Sequence, residues 1–178
     1  MLPFMVSAGD CDDNIKLIRA DGTTFSAVQT GDFKRVALHP TDENVIAVSG
    51  TSVVMYDIEL NVLRTIDLGG ATGYSLCFHH ILPHIYVGDS AGRVRVFNWQ
   101  TSELVNSAVV HGETVRELAL LPKRDMIVTA SWDRSVHLLC SDLSIVRTFA
   151  GHSAFVLTVA VTPDETTLIS GWYSRYAS

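Results

Sequence analysis

The sequence has few basic residues and no cluster of them. Its 178 residues contain 13 Lys and Arg against 19 Asp and Glu, which gives a formal net charge of −6 at pH 7. The basic residues stand singly or in the pairs Lys34-Arg35 and Lys123-Arg124. Binding to nucleic acid relies on clustered positive charge along the phosphate backbone. The composition therefore argues against a generic nucleic-acid-binding protein.

Long apolar runs and paired cysteines are also missing. No uninterrupted apolar stretch approaches the roughly 20 residues that cross a bilayer, and residues 1–6 lack the basic lead and apolar length of a signal peptide. Cys11, Cys77 and Cys140 lie far apart along the chain. This wide spacing forms neither a disulfide framework nor a paired-cysteine zinc motif. We therefore expect a cytoplasmic protein without membrane insertion, whose thiols are buried and unpaired.

Apolar residues are plentiful and follow a repeat of about 41 residues. They make up 47% of the chain, while charged residues make up 18%, a profile of folded rather than disordered proteins. One apolar segment recurs four times at nearly even spacing and ends at Pro40, His80, Pro122 and Pro163. A second alternating segment follows each copy at the same spacing, with its first apolar residue at Ile46, Ile85, Ile127 and Leu168. The two segments therefore follow each other in the same order in every repeat.

Each repeat contains three segments with alternating apolar residues and a weaker fourth. Period-two alternation between Gly, Asp, Ser and Pro punctuation predicts short β-strands, and no stretch has a helical period. One small four-stranded sheet has two faces to bury, so neighbouring sheets must stack around an axis, as in an all-β β-propeller. A β-sandwich is the alternative, because its turns also recur at short intervals.

The period divides the chain into one repeat domain, 1–178, with about four blades. The expected parts are a partial blade at 1–30, blades at about 31–70, 71–110 and 111–150, and a partial blade at 151–178. The first part supplies strands two, three and four, and the last supplies strands one and two, so the ends do not match for closure. We expect an incomplete or open propeller whose apolar faces and strand edges need self-association or a partner.

Short motifs recur within the repeats: Gly151-His152 stands before the strand Val156–Pro163, the segment Thr129–Asp133 ends the second strand of the repeat before it, and the pairs Tyr56-Asp57 and Phe97-Asn98 follow third strands. With these residues the chain resembles the WD40 repeat family, in which a Trp-Asp pair would stand at the positions of the last two pairs. The resemblance implies a buried, hydrogen-bonded set in each repeat. Its members are a His before the first strand, a Ser or Thr in the second, an Asp in the next turn and a Trp in the third strand.

Carried over to this sequence, the hydrogen-bonded set is partly present in two repeats. One repeat supplies His111, Thr129 and Asp133, with Leu139 in the Trp position. The last supplies His152 and Ser170, with Ser174 in the Asp position. No repeat has all four members, so the repeats are degenerate.

The sequence contains no constellation that predicts catalysis. His111 and Asp133 could form a catalytic pair, but no Ser or Cys nucleophile motif accompanies them, so we assign them a structural role. An enzyme of the propeller type would need carboxylates or a metal cluster converging from several repeats. Equivalent positions in successive repeats of this sequence hold different residue types. We therefore expect no catalytic residues.

Two segments resemble metal sites only superficially. His79, His80 and His84 have no Cys or carboxylate beside them, so we interpret them as a solvated turn rather than a zinc site. Asp10, Asp12 and Asn14 mimic the start of a calcium loop, but Ile15 stands where that loop needs Gly, which favours an acidic hairpin turn. The sequence predicts neither a metal nor a cofactor.

Aromatic residues predict a surface for protein partners. Trp132 and Trp172 recur at nearly the repeat period, and we interpret them as equivalent residues in the turn after the second strand. The WD40 resemblance implies that this turn shares a propeller face with the loops that carry Tyr74 and Phe155. Arg134 lies beside Trp132, and Trp, Tyr and Arg dominate interface hot spots. The alternative is that these rings only pack against neighbouring loops.

The sequence as a whole therefore predicts a non-enzymatic WD40 scaffold or adaptor that mediates protein–protein interactions. Its partner would be another protein, the rest of a propeller or a second copy of the chain. The specific alternative is a fragment of the actin-interacting WD40 proteins, which assist cofilin in filament disassembly. Segments that are similar to that family in order and spacing are Met5–Leu17, Val45–Tyr56, Asp67–Gly69 and Val87–Gly92.

Overall fold

Short antiparallel strands account for all the regular structure that can be described. The computed structural model of the protein describes residues 4–8, 14–19, 21–29, 33–42 and 45–172. Within these ranges every element is a strand, and none of the described residues forms a helix that could cross a membrane. The strands are β1 (Phe4–Ala8), β2 (Asn14–Arg19), β3 (Thr24–Gln29), β4 (Phe33–Leu38), β5 (Ile46–Gly50), β6 (Ser52–Tyr56), β7 (Val62–Asp67), β8 (Gly73–Phe78), β9 (His84–Asp89), β10 (Arg93–Asn98), β11 (Leu104–Val109), β12 (Val115–Leu121), β13 (Met126–Ser131), β14 (Val136–Cys140), β15 (Ile145–Phe149), β16 (Val156–Val161) and β17 (Leu168–Trp172).

The strands form sheets in which neighbours in sequence are neighbours in space. Three sheets have four strands, β4–β7, β8–β11 and β12–β15, while β1–β3 form a three-stranded sheet and β16–β17 a two-stranded one. This arrangement confirms the predicted fold class: the described residues form an all-β protein whose four-stranded antiparallel sheets follow one another in a WD40-like arrangement, consistent with an incomplete propeller. The sandwich alternative is wrong, because no strand crosses from one described sheet to another.

The turns between the third and fourth strands are stabilised by Asp and Asn side chains. The Oδ1 atoms of Asp57, Asn98 and Asp142 each accept a hydrogen bond from the backbone amide two residues later, at 2.8, 2.9 and 2.8 Å. Asx residues favour such turns because their side chain replaces a backbone acceptor. Two of these residues, Asp57 and Asn98, belong to the pairs that stand where the family has Trp-Asp.

The chain divides into two compact units, residues 1–73 and 74–178. In the first unit, the core between β1–β3 and β4–β7 contains buried residues of β2, β5, β6 and the following turn. These are Ile15, Leu17, Ile46, Val48, Tyr56 and Leu60. The β-branched and Leu residues alternate along each strand, so that one face of each sheet meets its neighbour.

The second unit has two core clusters, one on each face of the β12–β15 sheet. β14 shows how the pattern arises, because successive side chains in a strand point to opposite faces. Leu139 belongs to the cluster shared with β9–β11. Val136 and Leu138 belong to the cluster shared with β16–β17. A sheet inside the repeat array therefore needs apolar residues on both faces.

Candidate functional site

His111 connects three segments of the β12–β15 sheet through its two ring nitrogens. Its Nδ1 lies 2.8 Å from Oδ2 of Asp133 and its Nε2 lies 2.7 Å from Oγ1 of Thr129. The same carboxylate oxygen also accepts the Gly112 amide at 3.0 Å. The side chain of His111 is fully buried. The segment before β12, the middle of β13 and the β13–β14 turn are thus held together by one imidazole.

The protonation states in this set follow from burial. Burial lowers the pKa of His111 to about 4, although the nearby Asp133 opposes the shift. Burial raises the pKa of Asp133, but hydrogen bonds from Ser135 and the neighbouring His111 outweigh it and hold this pKa at about 2. At neutral pH a neutral imidazole therefore donates from Nδ1 to an ionised carboxylate. Its Nε2 then accepts the hydroxyl proton of Thr129.

The ring that covers His111 belongs to His137, a residue that the sequence analysis did not single out. The two imidazoles stack with centroids 4.1 Å apart. In the β13–β14 ladder, His137 pairs with Thr129 and Leu139 pairs with Ile127. Leu139, which the resemblance assigns to the Trp position of the third strand, lies in the apolar core. His137 could have been found as the residue opposite Thr129 on the next strand, but this requires the register of the sheet.

Among the described residues, the equivalent set in the last sheet consists of His152 and Ser170. Nε2 of His152 lies 2.7 Å from Oγ of Ser170. Ser174, which occupies the Asp position in the sequence, lies outside the described residues. The ring of Trp172 lies 6.5 Å from that of His152, tilted by 54°. His152 is only half-buried, so this connection is more exposed to water than that of His111.

Three aromatic rings from successive parts of the second unit form a row, which we call the aromatic cluster. The ring of Trp132 lies 5.5 Å from that of Tyr74 and 5.7 Å from that of Phe155. Tyr74 belongs to β8, Trp132 to the β13–β14 turn and Phe155 to the segment just before β16. The Phe155 side chain is 49% exposed. Arg134 is exposed in the same turn as Trp132 and has a positive φ of 73°.

The structure places two of the predicted surface residues differently from the sequence analysis. Trp172 pairs with Val156 across the β16–β17 ladder, as Ser131 pairs with Val115 in the preceding sheet. The equivalence of Trp172 with Trp132 is therefore wrong, because the matched ladders make Ser131 the counterpart of Trp172. Tyr74 lies within a strand and not in a loop.

The histidine-rich segment is not a solvated turn at His79. That side chain is 5% exposed, and its Nδ1 accepts the amides of Ile81 and Leu82 at 3.0 and 2.9 Å. Its Nε2 lies 3.2 Å from Oδ1 of Asp125 in the β12–β13 turn. No group of three or more His, Cys, Asp and Glu suited to a metal occurs among the described residues. Asp10 and Asp12 lie outside them.

Comparison with known proteins finds a matching family model and similar proteins. The family model "WD domain, G-beta repeat" matches residues 102–138 and 143–175, which include both histidine sets. WD repeat and SOCS box-containing protein 1 of Homo sapiens is 31% identical over 86 residues, which is 47% of this chain and 20% of that protein. The Xenopus tropicalis protein of the same name has the same identity and coverage. The alignment thus spans a fifth of these curated relatives.

Proposed function

We propose that the chain, which the family model of WD40 repeats matches at residues 102–138 and 143–175, is a non-enzymatic scaffold or adaptor that binds a protein partner through the aromatic cluster and Arg134. The observation that carries the proposal is the row of Tyr74, Trp132 and Phe155, three partly accessible rings supplied by three successive sheets. Aromatic and Arg side chains are the residues that dominate binding energy at protein interfaces.

The hydrogen-bonded residues His111, Thr129 and Asp133, which we call the His111 set, stabilise the turn that carries Trp132. Asp133 follows Trp132 directly, and its carboxylate is held by the His111 ring, the Gly112 amide and Ser135. The Trp132 amide also donates to the Thr114 carbonyl at 3.1 Å. A side chain whose turn is fixed loses less conformational entropy on binding, which favours affinity. The Trp132 ring therefore belongs to a preorganised turn.

The same set supports a non-enzymatic role. A general base needs a free lone pair within reach of a substrate proton. In His111 one nitrogen faces Asp133 and the other faces Thr129, and the ring is buried. The ring thus stabilises the fold and has no nitrogen left for a substrate.

Site-specific photocrosslinking tests the proposed surface. Benzoylphenylalanine replaces Glu113, which is exposed and lies beside the Trp132 turn, in one protein and Gln100, exposed in the β10–β11 turn, in another. Both proteins are incubated with cell extract and irradiated. We expect a distinct set of crosslinked proteins from position 113, which disappears in the Trp132→Ala, Phe155→Ala background but persists with Trp99→Ala. Identical products at positions 113 and 100, or products that survive loss of both rings, would contradict the proposal.

A narrower proposal assigns actin and cofilin as partners. It is supported by the order and spacing of the segments Val45–Tyr56, Asp67–Gly69 and Val87–Gly92, which resemble the actin-interacting WD40 proteins. Co-sedimentation with actin filaments, with and without cofilin, tests it. If the chain neither binds filaments nor speeds their disassembly, this assignment is wrong, while the general scaffold proposal stands.

We also propose a cytoplasmic location. The support is the wide separation of the three cysteines, which suits a reducing compartment. Fractionation of cells that express the untagged chain tests this, with the soluble cytosolic fraction as the expected result and the membrane or nuclear fraction as the contradicting one.

A further inference from the structure

β11, Leu104–Val109, is the outer strand of a four-stranded sheet and contains no charged residue. It lies inside the described range 45–172, between β10 of its own sheet and β12 of the next four-stranded sheet. Among the described strands it pairs with β10 alone. An unpaired strand edge presents amide and carbonyl groups that can receive another strand. The β11 edge is therefore a candidate contact surface.

The outer strands of the other two four-stranded sheets carry charges that β11 lacks. The register shifts once in each outer ladder, and the residues beside the shift are equivalent: Arg64 in β7, Asn106 in β11 and Arg147 in β15. Counted from there, Asp67 of β7 corresponds to Val109 of β11. Charges on an outer strand oppose edge-to-edge pairing of sheets. Within these three sheets, β11 is the outer strand without that protection.

The apolar side chains of β11 are open to water. Leu104, Val105 and Val109 are 56%, 51% and 60% exposed. The strand has neither proline nor glycine, and a short uncharged segment of β-forming residues favours pairing with another strand. Removal of its apolar area from water stabilises such a contact.

The backbone groups of Ser107 and Val109 face outward from the sheet. The Val110 amide donates to the Gly92 carbonyl at 2.9 Å, and amides along an antiparallel strand point alternately to the two sides. The amides of the even-numbered residues of β11 therefore face β10, and those of the odd-numbered residues face away from it. In agreement, the Ser107 amide donates to Oδ1 of Asn106 at 2.8 Å.

We propose that β11 pairs antiparallel with β11 of a second copy of the chain, about a two-fold axis at Ser107, so that the two sheets continue as one. Outward-facing groups then meet outward-facing groups in both copies. Val105 of each copy lies opposite Val109 of the other. The Ser107 carbonyl of the second copy replaces Asn106 as the acceptor of the Ser107 amide. Because each copy has one β11, this two-fold contact closes at a dimer.

The charges around β11 favour a second copy as the occupant. Each copy has a formal net charge of −6, so two copies approach best where the local charge is absent or complementary. Glu103, which is exposed, precedes β11, and Arg93 pairs with Val109 at its other end. Antiparallel pairing brings the Glu103 end of one copy to the Arg93 end of the other. A different protein would need an uncommitted extended strand, whereas every copy of this chain supplies one.

A cysteine on the two-fold axis tests the pairing. Facing Cα atoms in an antiparallel pair lie about 5.5 Å apart, which is within the range of a disulfide. Ser107→Cys at tens of micromolar concentration is oxidised with copper phenanthroline and analysed on a non-reducing gel. We expect a disulfide-linked dimer, with only the background of the original chain from Thr65→Cys, the equivalent position in β7. Ala27→Cys is the same position in β3, another outer strand without charge, and should also give background only.

The mass in solution measures the dimer without a crosslink. By size-exclusion chromatography with light scattering, we expect the mass of the original chain to rise from monomer to dimer over tens of micromolar. Val109→Asp, which copies Asp67 of β7, should weaken the dimer at least tenfold. Val62→Asp in β7 is the matched control and should leave the dimer unchanged. Trp132→Ala should also leave it unchanged, so failure here is separate from failure of the proposed function.

Three results would overturn the proposal. One is a monomer at every concentration, and another is a disulfide that forms as readily from Thr65→Cys or Ala27→Cys as from Ser107→Cys. The third is a folded Val109→Asp chain that dimerises as tightly as the original. If Val109→Asp fails to fold, the Ser107→Cys crosslink decides the case.

Discussion

The imidazole rings of His111 and His137 stack face to face, with centroids 4.1 Å apart and planes inclined by 12°. Both rings also approach the Ser135 hydroxyl, which lies 3.2 Å from Nδ1 of His111 and 3.2 Å from Nε2 of His137. Burial lowers the pKa of each histidine. The stack is therefore neutral at pH 7, and protonation of both rings would bring two positive charges together in a site with little water.

The first prediction is a loss of stability between pH 6.5 and pH 4. The pKa of His111 is about 4 in the folded chain and about 6.5 in an unfolded one. Within this interval the unfolded chain binds a proton that the folded chain excludes, so the free energy of unfolding falls as the pH falls. His111 alone should account for about 3 kcal/mol by pH 4. The measurement is urea unfolding followed by circular dichroism at pH 7, 6, 5 and 4.

The control for this pH dependence is a pair of variants. In His111→Gln the slope between pH 6.5 and 4 should become much shallower. In His84→Gln most of the slope should remain, because His84 lies at the start of β9 and is only half-buried. Equal slopes in the original chain and in His111→Gln would show that another group dominates. As the pH falls from 3.8 towards 2, the free energy of unfolding falls further. In this range the Asp133 carboxylate takes up a proton in the unfolded chain but not in the folded chain, where its pKa is about 2.

The second prediction concerns the charge of Asp133. Asp133→Asn keeps the shape of the side chain but removes the ionised acceptor of His111 and Gly112. Hydrogen bonds to a charged group contribute about 1.5–3 kcal/mol, so we expect a loss of that size in the free energy of unfolding. Asp142→Asn is the matched control, because that carboxylate bonds only residues of its own exposed turn in the described contacts. A loss no larger than that of the control would argue against the His111 set as a stabilising unit.

The sequence predicts the partners of His111 but not the ring that covers it. The repeat and the family pattern assign His111, Thr129 and Asp133, because each belongs to a recognisable position relative to the strands. His137 depends on the β13–β14 register, in which it lies opposite Thr129. Register follows from the packing of whole sheets. The same cause explains Trp172, whose position shifts by one residue once the β16–β17 ladder is known.

Burial of the turns is the other feature that the sequence does not predict. A run of histidines between two strands has the composition of a solvated turn, yet His79 is buried because its ring replaces a backbone acceptor and reaches Asp125 in the next sheet. His39 uses the same Nδ1 contact, accepting the Asp42 amide at 3.0 Å. The contact between His79 and Asp125 depends on the spacing of adjacent sheets, which no local pattern records.

The third prediction compares the two histidine sets. His111→Ala should cost about 3 kcal/mol, because it leaves the buried hydroxyl of Thr129 and the carboxylate of Asp133 without their partner. His152→Ala should cost about 1 kcal/mol, because that ring is half-buried and its described hydrogen bond is to Ser170 alone. Urea unfolding at pH 7 measures both. A larger loss for His152→Ala than for His111→Ala would mean that the last sheet depends on its histidine more than the geometry indicates.

The fourth prediction concerns the turn that supports the His111 segment. Gly92 has a φ of +73°, and its carbonyl accepts the amides of Val110 and His111 at 2.9 and 3.0 Å. A Cβ at this position would lie 2.8 Å from the carbonyl carbon of His111 and 3.0 Å from the carbonyl oxygen of Glu113. Backbone atoms cannot move aside as a flexible side chain can. We therefore expect Gly92→Ala to cost more than about 3 kcal/mol, from the strained φ and the clash together.

Gly112 provides the matched control for this turn. It follows His111 directly, has no atom within 4 Å of a Cβ position and no positive φ. Gly112→Ala should change the free energy of unfolding by less than about 1 kcal/mol and can increase it, because alanine reduces the freedom of the unfolded chain. Thermal and urea unfolding of the two variants side by side measure the difference. If Gly92→Ala were as stable as Gly112→Ala, the close approach of Gly92 to the His111 segment would have to be absent in solution.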